Sequence, residues 1–478
     1  MSTTHQLMTR RLSGVLLHPT SLPARTLDAS CIGDLGPASR TFIDWLHAGG
    51  FALWQMLPIG PVGLGNSPYS ALSSFAIEPM LISIKDLVED EFLPSSVLRV
   101  PKDQRAKHTH RCDWQKARTF KGPRLEMAFK AFTRKRSGRL AFNRFQTTHS
   151  EWLGPWCKWI ADQTPGSPDY HAFVQYLLSL QWERMRRYAQ DRNISLIGDL
   201  PIFCGAHSAD VSADPRLFRL DRQGNPTVVT GVPPDSFSRS GQLWGHPHYR
   251  WSAHRKEGYR WWCNRVHTAL ERFDLLRIDH FVGFVHAYEI PANAHTARKG
   301  KWGSTPGQEL LDALHASIGP LPFIAEDLGN VTQKVDRLRT DFGLPGMRIL
   351  QWAFYNRDSR DLPENHSLDS VVYPATHDND TVAGWWRNLP THARTRFTSR
   401  TGKSGAEVPM AMIDLALESR ARTAIIQAQD LLGLGRSTRM NTPGIPTGNW
   451  RWRLEPGQLN RTLAKKVYTK NSRAQRLP

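Results

Sequence analysis

Four acidic residues stand at or near the ends of short apolar runs: Asp199 in LIGDLP, Asp279 in LLRIDHF, Glu326 in FIAEDLG and Asp378 in YPATHDND. Arg277, His280 and His377 stand beside them. Burial makes charge expensive, so a cation, an imidazole and a carboxylate in such company need a reason. Simple structural reasons exist one at a time. Arg277 and Asp279, two apart, share a strand face and can form an ion pair. Asp199 can cap a turn, Glu326 and Asp327 can be a surface pair, and DNDT (378–381) can cap a helix running through Trp385 and Trp386. Chemistry accounts for all four together. Acids converging on one basin repel each other and move their pKa values apart, which acid–base catalysis exploits. Two carboxylates about 5–5.5 Å apart across one glycosidic bond make a retaining glycosidase site. Arg277 beside one of them keeps it ionised as a nucleophile. A metal reading also stands, because His280, His377, Asp378 and the HPH of 246–248 are ligand types. Its HxH signature, however, belongs at the end of a first barrel strand, where this chain offers only His18.

Elements must bring these residues together. Short apolar runs recur at 14–22, 53–59, 194–202, 274–281, 322–329, 346–354 and 369–380, with another near 424. Amphipathic stretches such as 36–50 and 170–192 lie between several of them. This alternation predicts parallel β/α units, and about eight of them predict a closed (β/α)8 TIM barrel over residues 1–456. A barrel collects catalytic groups at the C-terminal ends of its strands, where the four acids fall. Residues 85–165 are polar, basic and weakly periodic, and predict an inserted, mainly helical subdomain. Residues 203–262, rich in Pro, Gly and aromatics, predict a long loop region lining the site. Residues 457–478 read as a basic C-terminal tail.

Composition narrows the class. The 478 residues are 40% hydrophobic and 22% charged, as in a soluble globular protein. A formal charge of +19 and pI near 10.0 raise nucleic acid as a partner. The basic clusters at 130–144 and from 461 come without a helix-turn-helix, zinc-finger or RNP-type pattern, so a solvated basic surface is the reading and no nucleic-acid partner is expected. Five widely spaced cysteines without a CxxC pair argue against a disulfide framework or a thiolate zinc site. No apolar run of 18 residues and no signal-like N-terminus occur, so a cytoplasmic location without a membrane partner is expected. Seventeen tryptophans supply flat indole faces that suit a core or sugar rings.

Taken together, RIDHF, AEDLG and THDND resemble the 4-α-glucanotransferases (amylomaltase, or disproportionating enzyme) of glycoside hydrolase family 77, in the α-amylase clan. SGVLLHPTSLP (13–23), LWQMLPIGPVGLGNSPYSALSSFA (53–76), GVPPDSFSRSGQLWGHPHY (231–249) and MNTPGIPTGNWRWRL (440–454) carry the same resemblance. It covers most of 11–83, 171–388 and 425–455. The resemblance implies a barrel enzyme that transfers α-1,4-glucan segments from a maltodextrin donor to a glucose or oligosaccharide acceptor, with no cofactor and no metal. It implies Asp279 as nucleophile, Glu326 as general acid/base and Asp378 as transition-state stabiliser. It further implies Arg277, Asp199, His280 and His377 around the sugar at the cleavage point. Tyr69, Phe237, Gln242, Trp244, Asp327 and Asn441 would bind glucose units. Ser236, Ser70 and Pro374-Ala375 depart from the family's usual Tyr, Gln and Thr-Gly, which bears on acceptor preference and efficiency. A mainly hydrolytic α-glucan enzyme and an inactive α-glucan-binding protein are the alternatives.

Overall fold

Leu275–Asp279 is buried at four of its five positions, and the runs around Leu12, Phe323, Gly346, Ser370 and Thr423 are buried throughout. Continuous burial on both faces is what a parallel sheet covered by helices demands. The computed structural model describes residues 5–23, 31–100, 110–134, 138–234 and 238–478. Its strands, in chain order, are β1 (Leu12–Leu16), β2 (Leu53–Gln55), β3 (Ser195–Pro201), β4 (Val228–Val232), β5 (Gln242–Pro247) and β6 (Leu275–Asp279). They continue with β7 (His286–Pro291), β8 (Lys301–Ser304), β9 (Phe323–Ala325), β10 (Gly346–Ile349), β11 (Ser370–Tyr373) and β12 (Thr423–Gln427).

Eight of these close a parallel barrel in the order β1, β2, β3, β6, β9, β10, β11, β12 and back to β1. Each of the eight apolar runs supplies one barrel strand. Register then places the chemistry. Asp199 on β3 pairs with Arg277 on β6, and Ile278 pairs with Ala325, the residue before Glu326. The other four strands form a separate antiparallel sheet in the order β5, β4, β7, β8. It is built from the 203–262 stretch and from the chain that follows β6. That stretch therefore holds paired strands and short helices, Ala209–Ala213 and Trp251–Lys256, as well as loop.

Within 85–165 the helices Trp114–Arg134, Arg139–Thr148 and Ser150–Ala161 pack on the long helix Pro168–Gln190. Phe132 stacks on Phe173 at 4.7 Å, and Phe142 meets both, so this helical layer shares one core with the barrel. The last segment is not a free tail. Arg461–Arg473 is a helix capped by the Asn460 side chain, and it buries Ala464, Val467 and Asn471. Those positions repeat at helical spacing within a run dominated by charge. Asn471 accepts from Ser13 Oγ at 2.8 Å, which ties the end of the chain to β1. No helix among the described residues is long and apolar enough to cross a membrane.

Candidate active site

The site grows from one guanidinium. Arg277, in the interior of β6, is 3% exposed. Its Nη1 donates to both oxygens of Asp199 at 2.7 Å and to Asp279 Oδ1 at 3.1 Å. Its Nη2 lies 3.2 Å from Glu326 Oε2. Three acids from three adjacent strands thus share one cation, which register and the closed barrel arrange. Burial is the largest single influence and works against a charge on Arg277, but Asp199, Tyr69, Glu326 and Asp279 together outweigh it, so the guanidinium is held above the ordinary arginine range.

Immediately after Asp279 the backbone turns through His280 at φ 54°, a left-handed conformation that a non-glycine residue adopts at some cost. The turn aims the His280 amide N–H at Glu326 Oε2, which accepts it. Burial pushes the Glu326 carboxyl up to about 8, helped by the charges of Asp279 and Asp378 and opposed by Arg277 and the His280 amide. Glu326 therefore keeps a proton at neutral pH, close beside a carboxylate that shares its arginine. The imidazoles of His280 and His246 are driven down to about 4 by burial, against the pull of Asp279. Neutral imidazoles can donate to or accept from sugar hydroxyls.

Asp378 arrives on the turn after β11. Thr376 donates to Asn379 Oδ1 from its amide and its hydroxyl, at 2.9 and 2.8 Å, which closes that turn. Asn441 Nδ2 donates to Asp378 Oδ1 at 2.6 Å, and Arg439 holds the backbone carbonyls of both Asp378 and Asn441. Tyr69 reaches in from the loop after β2. Its hydroxyl donates to Asp199 Oδ2 at 2.8 Å and meets His377 Nε2 at 2.8 Å, while its ring stacks on His377. Trp244, near the start of β5, stands edge-on to His280 at 4.9 Å and donates to Gln242 Oε1 at 3.2 Å.

Of the residues singled out in the sequence, Asp199, Arg277, Asp279, His280, Glu326, His377, Asp378, Tyr69, Asn441, Trp244 and Gln242 are linked by these contacts around one mouth. Phe237 lies outside the described residues. Asp327 corrects the expectation that it binds glucose. Its side chain is fully buried, accepting from the Met347 amide at 2.7 Å and lying 3.3 Å from Arg348 and 3.6 Å from Arg339. Asp327 thus braces β10 from behind Glu326, and a Cβ on Gly346 would fall 2.4 Å from its Oδ2.

Sequence reading missed four neighbours. Arg439 stands two positions before Asn441, and that spacing was the available signal. Trp450, at φ 61°, packs on Tyr69 and His377. Phe203 faces Trp244 and His280, a contact that no local pattern announces. Tyr373 donates to Gln55 Oε1 at 2.9 Å in the barrel interior. Among the described residues, no group of three or more His, Cys, Asp or Glu is arranged to hold a metal ion.

Comparison with known proteins follows the same lines. The family profile described as 4-alpha-glucanotransferase matches residues 17–165 and 160–460. The 4-alpha-glucanotransferase of Aquifex aeolicus is 41% identical over 93% of this chain and 96% of its own length. The chloroplastic/amyloplastic enzyme of Arabidopsis thaliana is 38% identical over 93% of this chain and 82% of its own. Among solved structures, an amylomaltase from Streptococcus agalactiae in complex with acarbose superposes with TM-score 0.93 at 30% identity, covering 98% of this chain and all of that one.

Proposed function

This chain belongs to the 4-alpha-glucanotransferase family, glycoside hydrolase family 77, and from that premise we propose that Asp279, Glu326 and Asp378 divide the chemistry of moving α-1,4-glucan segments between maltodextrins. The observation that carries the division is the shared Arg277. Asp279 and Glu326 sit on its two nitrogens, at 3.1 and 3.2 Å, yet Glu326 is the one whose proton is retained to about pH 8. An acid and a base are thereby separated within one buried cluster.

Glu326 gives its proton to the glycosidic oxygen as Asp279 attacks the anomeric carbon from the opposite face through an oxocarbenium-like transition state. The leaving chain departs with its 4-hydroxyl restored, and the donor sugar is left as a β-linked ester on Asp279. Glu326, now ionised, takes the proton of an incoming 4-hydroxyl. That oxygen displaces Asp279 and re-forms an α-1,4 bond. Asp378, fixed by Asn441 and Arg439, stabilises the positive charge that develops on the sugar in the transition state of each step. Neutral His280 and His246 and the Tyr69–Asp199 pair supply hydroxyl contacts. Water in place of the acceptor gives hydrolysis, so transfer needs an acceptor held well, and Trp244 and Gln242 at the rim are suited to hold it. Four cysteines, Cys112, Cys157, Cys204 and Cys263, are thiols, which fits a reducing cytoplasm.

Purified enzyme incubated with maltotriose should yield glucose and a ladder of longer maltodextrins, and Asp279→Asn should abolish both. Only shorter sugars would make the enzyme a hydrolase. A ladder that survives Asp279→Asn would remove Asp279 from the nucleophile's role.

A further inference from the structure

One segment, residues 427–441, comprising the end of β12 and the chain after it, grips the turn that carries Asp378. Asn441 and Arg439 hold Asp378 itself, by its carboxylate and its backbone carbonyl. The Asn441 amide donates to the carbonyl of His377 at 3.1 Å. Arg436 Nε lies 3.2 Å from Asp380 Oδ2. A further grip comes from Asp430, in the short helix Ala428–Leu431 directly after β12. Its Oδ1 accepts the amide of Val382 at 2.7 Å, where the turn ends and the helix Val382–Asn388 begins.

Asp430 is 1% exposed, so it cannot touch a sugar. Its donors are neutral: the Val382 amide and Gln427 Nε2, the latter at 3.2 Å. Burial pushes its carboxyl up to about 7, helped by the charge of Asp380 and opposed by these two donors. An acid buried without a cation is costly, and an apolar residue of similar size would pack at less cost. Helix capping alone does not call for it. Thr381 Oγ1 already accepts from the Gly384 amide at 3.1 Å, and Val382 occupies the first helical position, where proline does without an N–H. What the acid adds is a fixed distance. Val382 is four residues from Asp378, and Asp430 is rooted on β12, which pairs with β11 and β1. Between the two, Gln351 Nε2 donates to the carbonyl of Asp380 at 2.7 Å. The far end of the turn is thereby tied to the barrel that also carries Asp279 and Glu326.

We propose that Asp430 is a positioning residue: through the Val382 amide it fixes where Asp378 stands against the cleavage point. Its role rests on the transition-state role proposed for Asp378. A group that works in the transition state loses kcat, and not ground-state binding, when it is displaced.

Asp430→Ala should lower kcat for maltotriose transfer about 10²-fold, the cost of a misplacement of roughly 1 Å, and change KM by less than about twofold. Asp430→Asn keeps an acceptor for the Val382 amide, and the Gln427 amide can turn to meet its NH2, so this variant should stay within about fivefold of the parent. Val382→Pro removes the donor instead, at a position where a helix tolerates proline, and should reproduce the loss even if Asp430→Ala fails to fold. In an Asp378→Asn background, adding Asp430→Ala should cost less than about threefold, because the group it positions is already gone. A further loss of roughly 10²-fold there would show damage that does not pass through Asp378, and would overturn the proposal. So would an unchanged kcat in folded Asp430→Ala and Val382→Pro proteins. A parental kcat in Asp378→Asn alone would instead remove Asp378 from the proposed function, and leave Asp430 nothing to position.

Discussion

Glu326→Gln should make the enzyme more stable as it becomes inactive, by a margin that grows as pH rises from about 4.5 to about 8. The folded-state value for Glu326, about 8, lies above its ordinary 4.5. Between those values the folded chain holds a proton that the unfolded chain has released, so folding stability falls as pH rises through this window, and the whole cost is present above about 8. Fully realised, a gap of that size is worth ~5 kcal/mol. The Glu326 side chain is still 18% accessible, and water there screens its charge, so about 2 kcal/mol is the expected figure. Glutamine is neutral at every pH. Its carbonyl can take the place of Oε2, which meets Arg277 and the His280 amide, and its NH2 that of Oε1. Urea unfolding at pH 5 and pH 9 provides the assay. The variant and the parent should have similar midpoints at pH 5. At pH 9 the variant should lead by about 2 kcal/mol, while transfer from maltotriose falls by roughly 10²- to 10⁴-fold, as when a general acid is removed. In the parent, kcat/KM should decline above pH 8. A stability gap that does not change with pH would refute the claim that burial holds the proton on Glu326. A variant less stable than the parent at pH 9 would do the same.

Two further substitutions test the support of the site. Asp327→Asn keeps the acceptor for the Met347 amide but removes the charge facing Arg348 and Arg339, so unfolding free energy should fall by about 2–3 kcal/mol in denaturant melts. KM for maltotriose should change little, because Asp327 does not reach the mouth; a large KM effect at unchanged stability would restore it as a sugar ligand. Arg476→Met removes a fully buried side chain that donates to the carbonyls of Leu12, Ala416, Leu417, Ser419, Ala421 and Arg422. Leaving several buried acceptors unpaired should cost about 3–5 kcal/mol, read as a lowered denaturant midpoint. An unchanged midpoint would mean that the last residues are not part of the fold's support.

Much of this enzyme was legible in the sequence because barrel strands are buried on both faces. Each appears as an uninterrupted apolar run, and eight such runs with charges near their ends give the architecture and the acids without any coordinates. RIDH, AEDLG and THDND were readable for the same reason: a charge in an apolar run is conspicuous. Helical periodicity inside a charged segment is not. The run from 461 therefore read as a tail, although Ala464 and Val467 bury against the barrel and Arg476 closes its base. The neighbouring acids of AEDLG were equally ambiguous. Glu326 and Asp327 are adjacent in sequence, and only the chain's path past Ala325 sends one to the mouth and the other toward Arg348. Nor does sequence show that one arginine serves Asp199, Asp279 and Glu326. That depends on register between three strands far apart in the chain. The pKa of Glu326 depends on it in turn, because burial and the distance between charges are set by packing and not by residue type.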